Sequence, residues 1–130
     1  MKILSIVTMD RATFEKGPSP ATRERMEALC AQMKKEGVLL ETGGKCEAEL
    51  ELTVARKNGT YTVTDGPFAE AKEVVGGFAL LEVSGRDEAI QITRRFLDHF
   101  DDDATCHLHE VNLPLESETP AMKTLQRMNA

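Results

Sequence analysis

Gly76-Gly77-Phe78-Ala79-Leu80-Leu81-Glu82-Val83 is apolar at almost every position, the pattern of a strand inside a sheet rather than at its edge. Directly after it the period changes. Across residues 86–100, Ala89, Ile92, Thr93, Phe96 and Phe100 recur at helical spacing, which predicts an amphipathic helix packed on that sheet.

Working toward the N-terminus, residues 2–8 read as a first strand, with Leu4 and Ile6 on one parity and Ile3 and Val7 on the other. Gly17, Pro18, Ser19 and Pro20 form a turn that offers Ser19 as a helix N-cap and Pro20 as the first helical residue. The helix runs to about Glu36, with Met26, Leu29, Cys30 and Met33 as its inner stripe and Gly37 ending it. Residues 38–40 open a second strand that Gly43-Gly44 closes. Toward the C-terminus, Asp101-Asp102-Asp103 ends the helix, residues 105–113 form a last strand, and Pro114 stops it.

Between residues 44 and 76 lies a β-hairpin whose register is fixed by Asn58-Gly59, a pair suited to a two-residue turn. Counting back from that turn sets Arg56 opposite Tyr61, Val54 opposite Val63 and Leu52 opposite Asp65. Leu52, Val54, Tyr61 and Val63 thereby share a face. An apolar face of this kind is expected to point inward, taking Asp65 with it. The element order is therefore βαββαβ with an inserted hairpin, a ferredoxin-like α+β fold. Residues 1–114 form one domain and residues 115–130 a polar tail.

Composition narrows the function. With 130 residues and 41% hydrophobic content the chain supports one core. The apolar run at residues 3–7 is halted by Asp10 and Arg11, too short for a secretory leader or a membrane span, so a cytoplasmic protein without membrane partners is expected. Cys30, Cys46 and Cys106 are odd in number and lack CxxC spacing, which predicts reduced thiols and no zinc site. A net charge of −6, with 22 acidic against 16 basic residues, disfavours a nucleic-acid partner, and Lys34-Lys35 and Arg94-Arg95 are only pairs. The three aspartates at 101–103 lack the Gly and Glu that a calcium loop requires. No metal or cofactor is expected.

The run Val63-Thr64-Asp65-Gly66-Pro67-Phe68-Ala69-Glu70, continued by Lys72-Glu73 and Gly77-Phe78, resembles the signature of the YCII-related proteins, in the branch named for its Asp-Gly-Pro-Phe motif. That resemblance implies a dimeric α+β barrel, in which two ferredoxin-like sheets pack face to face with pockets at or near the barrel. It also implies a homodimer. Two helices cover only one face of a four-stranded sheet, and strands apolar on both faces call for such a partner.

Asp65 is the candidate catalytic group, since a carboxylate among apolar groups has a raised pKa suited to acid or base work. Its competing role is to bond its own turn backbone, with Gly66 and Pro67 shaping that turn and Phe68 plugging a gap. Tyr61 and Phe68 would wall a ligand pocket, with Glu70 and Lys72 at its rim or on a solvated turn. The smaller relatives pair a first-helix histidine with an aspartate, but no histidine precedes His99 here. His107 and His109 lie at i, i+2 on the last strand and so face one way, as replacement bases or as surface histidines. Two functions remain open: a protein that binds a small organic molecule, with isomerase- or lyase-type proton transfer through Asp65, or a non-enzymatic interaction module. The resemblance implies a sigma-factor regulatory context for the second.

Overall fold

A computed structural model describes residues 1–45, 50–66 and 73–113. Strand β1 (Lys2–Asp10) leads into a short helix α1 (Arg11–Lys16), then α2 (Pro20–Lys35) and β2 (Leu39–Gly44). The hairpin strands β3 (Leu52–Lys57) and β4 (Thr60–Asp65) follow, then β5 (Glu73–Glu82), α3 (Arg86–Leu97) and β6 (Thr105–Val111). Four strands make one antiparallel sheet in the order β2-β5-β1-β6, the ferredoxin-like arrangement, and β3-β4 form a separate ribbon. No helix among the described residues is long and apolar enough to cross a membrane.

The central placement of β5 follows from its composition, for it pairs with β1 on one side and β2 on the other. Alternation along β1 assigns the faces. Ile3, Ser5 and Val7 are buried beneath the helices, and their register partners Leu81, Ala79 and Gly77 share that side. Leu29 and Met33 from α2 and Ala89 and Ile92 from α3 complete the core with Ile3, Leu39, Leu81 and Val83. The opposite parity carries Leu4, Ile6, Phe78 and Leu80, half-buried or exposed on a face that no helix among the described residues covers. His107 and His109 sit on that open face opposite Ile6 and Leu4, both exposed, and His107 Nε2 lies 3.1 Å from Thr8 Oγ1.

Ser19 caps α2 as expected: its hydroxyl accepts the Thr22 N–H at 3.2 Å, with Pro20 as the first helical residue. Gly37, at φ 80°, lies in the left-handed region that ends the helix cheaply.

Three expectations need correction. Strand β1 runs on to Asp10 and is followed by α1, a helix of six residues and so too short for its periodicity to show in the sequence. Helix α3 ends at Leu97, and His99 and Phe100 continue as tight turns whose N–H groups bond Phe96 and Leu97 carbonyls at 3.1 Å. The hairpin has the expected register, with Val54 on Val63, Arg56 on Tyr61 and Leu52 on Asp65, but not the expected burial. Leu52, Val54, Tyr61 and Val63 are 42, 58, 68 and 65% exposed, and Asp65 is exposed beside them. Among the described residues the ribbon is paired only with itself, so alternation set its two faces without supplying a core for either.

Candidate functional site

A cleft of about 810 Å³ lies between the helix layer and the end of the sheet where β1 and β2 finish and β5 begins. Its floor is unusual. Gly43 and Gly44 of β2 run beside Gly77 and Phe78 of β5, and Gly76 lies at the register shift between β1 and β5. Glycine inside a strand commonly marks a close backbone approach. Here the approach is tight at Gly77, where a Cβ would stand 2.5 Å from the Gly43 carbonyl oxygen. At Gly44, by contrast, a Cβ would meet nothing nearer than the Gly76 oxygen at 3.9 Å. Gly44 pairs with Gly77, and Gly77 with the buried Val7, so the missing side chains leave bare floor on the helix side.

Apolar walls rise from that floor: Phe14 on α1, Met26 and Cys30 on α2, Met9 on β1, Phe96 on α3 and Phe100 just beyond it. The last two rings meet edge to face, with centroids 4.9 Å apart. Burial pushes the Cys30 thiol up, partly offset by Lys34, and burial pushes Cys106 up, partly offset by a hydrogen bond with Ser5. Thiols so shifted are poor nucleophiles and act as packing groups.

Polar groups line the lip. Thr22, 1% exposed, donates from Oγ1 to Asp101 Oδ1 at 2.7 Å and accepts from Ser19 Oγ and Arg25 Nη2, each at 2.9 Å. The Thr22 hydroxyl first, and then the Ser19 N–H, hold Asp101 below the ordinary carboxylate range. The aspartate run thus ties the loop after α3 to the start of α2. Lys16 Nζ meets Asp102 Oδ2 at 3.2 Å on the same lip. On the side of the hairpin, Lys45 Nζ lies 2.7 Å from Glu51 Oε2 and 5.6 Å from the Phe14 ring centroid. Arg23 also lines the cleft, and among the described residues it has no carboxylate partner.

Of the candidate residues read from the sequence, none that is described lines this cleft: Tyr61, Asp65 and Gly66 belong to the ribbon, and His107 and His109 to the open sheet face. Gly66 closes the ribbon, its N–H bonding the Glu51 carbonyl at 2.9 Å. Pro67, Phe68, Glu70 and Lys72 lie outside the described residues, as do Cys46 and the tail at 115–130. Among the described residues no group of three or more potential metal ligands converges.

The cleft residues themselves left one readable signal, the doubled glycines at 43–44 and 76–77. Phe14 and Arg23 left none, because their convergence depends on α1 and on the helix–sheet packing.

Comparison with family models matches residues 1–96 to the YCII-related domain. No curated protein matches the chain.

Proposed function

The chain belongs to the YCII-related family, and from that premise we propose that it binds a small organic molecule with an apolar body and an anionic end in the cleft beneath α1 and α2. The observation that carries this reading is the bare glycine floor: a cleft of about 810 Å³ lies over the paired Gly44 and Gly77, which put no side chain on the helix side, and a Cβ at Gly44 would meet nothing nearer than 3.9 Å. That size suits a drug-sized or smaller ligand. Phe14, Phe96 and Phe100 offer ring faces and edges to the apolar body, and the Arg23 guanidinium, without a carboxylate partner among the described residues, offers a fork for a carboxylate or phosphate. The Asp-Gly-Pro-Phe run at 65–68 supports placing the chain in the branch that carries that motif.

A homodimer is part of the same reading, supported by Leu4, Ile6, Val75, Phe78 and Leu80 on the sheet face that no helix among the described residues covers. A cytoplasmic location is the setting we assign to it. An acid or base role for Asp65 rests on the sequence alone, since its carboxylate is exposed on β4 and does not line the cleft.

Thermal-shift screening with aromatic and aliphatic acids and their neutral amides tests the reading. Stabilisation rises with ligand concentration over its dissociation constant, so a true ligand gives a graded shift. The acids should stabilise the wild type, Arg23→Gln should erase their advantage over the amides, and Gly44→Leu should abolish both by filling the floor. Equal shifts in wild type and Gly44→Leu would place binding elsewhere.

A further inference from the structure

Among the described residues the β3-β4 ribbon is the most conspicuous element without a packing partner. Two strands alone are marginal in water, yet this pair presents Leu52, Val54, Tyr61 and Val63 on one side, all exposed. The opposite side is polar, with Thr53, Thr62 and Thr64. The apolar side is also bracketed by charge. Arg56 lies in the row nearest the turn, its guanidinium 5.9 Å from the Tyr61 ring centroid, and Asp65 lies in the row at the base, opposite Leu52. Among the described residues neither charge has an oppositely charged partner.

From this arrangement we infer that the ribbon is a self-association surface whose occupant is the same ribbon of a second copy, stacked face to face and tip to base. A two-fold axis crossing the strands at the Val54–Val63 row reverses the strand direction, so the Arg56 row of each copy falls on the Leu52–Asp65 row of the other. Both charges then acquire opposite partners, and the apolar rows cover each other. A surface with a cation at one end and an anion at the other is self-complementary only in this reversed order; stacking tip on tip sets like charges together. The ribbon contact is separate from the open sheet face, and Asp65 takes in it the role of an ion-pair partner between copies.

A charge swap with thiol cross-linking tests this on the full chain. Arg56→Glu and Asp65→Lys should each weaken ribbon-mediated association by about five- to tenfold, as expected for turning an exposed attraction into a repulsion, and the double variant should recover it. Separately, Val54→Cys should be joined to a second copy by a short bismaleimide, whereas Thr62→Cys on the polar side should not, with the wild type reporting any background from native cysteines. Wild-type-like melting temperatures verify that the variants fold. Absence of the Val54→Cys cross-link, equal linking from Thr62→Cys, or a double swap no better than the singles would overturn the inference. A Phe78→Asp variant separates it from the sheet-face dimer. A dimer lost in Phe78→Asp, in a protein whose Val54→Cys does not link, leaves the sheet-face contact standing and the ribbon contact refuted.

Discussion

β5 and the β3-β4 ribbon are built by the same rule and end in opposite environments. Both have their register set by local chemistry, β5 by its apolar run between β1 and β2, the ribbon by Asn58-Gly59, whose φ values of 51° and 76° are those such a turn requires. Yet Leu81 is 3% exposed and Val54 58%. The difference teaches that alternation decides which side chains share a face, while burial needs a second layer. For β5 that layer is α2 and α3. For the ribbon no element among the described residues supplies one.

The contrast is broken most directly by truncating an apolar residue in each region. Leu81→Ala should destabilise the fold by about 3 kcal/mol, from lost transfer energy and the cavity left behind. Val63→Ala, measured by urea unfolding at the same low concentration, should cost under about 0.5 kcal/mol. Similar costs would mean that the ribbon is buried in solution.

A smaller effect is expected at the paired glycines. Gly77→Ala drives a Cβ to 2.5 Å from the Gly43 carbonyl oxygen and should cost about 1–3 kcal/mol, since backbone must move. Gly44→Ala, with its nearest atom at 3.9 Å, should be nearly neutral or slightly stabilising. Chemical denaturation of the two variants side by side gives the ranking, and an equal cost would contradict the floor geometry.

Asp101 sharpens the comparison by pH. Its folded pKa is depressed below the ordinary value of 3.8, so its contribution is present above that value and fades as pH falls through the lower folded one. Asp101→Asn should therefore lower the melting temperature near neutral pH, and the gap to wild type should close below about pH 4, the ordinary carboxylate range.

The smallest effect is expected at Lys45, which links the two regions through Glu51. Lys45→Met should cost on the order of 0.5 kcal/mol, as partly exposed ion pairs do. Faster amide exchange confined to β3 and β4 would locate that loss in the ribbon, and equal acceleration in β1 would deny the link its local character.

By itself the sequence determined what short-range chemistry decides. The 3.6-residue stripes of α2 and α3, the Ser19–Pro20 helix start, the Gly37 stop, the hairpin pairing and the interior character of β5 are all carried by residues close to one another in the chain. Only the tertiary structure decided that α1 exists as a wall, that Asp101 reaches Thr22 across 79 residues, and that Gly44 of β2 and Gly77 of β5 meet as one floor. Asp65 shows the boundary most clearly. Its opposition to Leu52 could be counted from the turn, but its exposure could not, because solvent access depends on which distant surfaces approach a face and no local pattern encodes their approach.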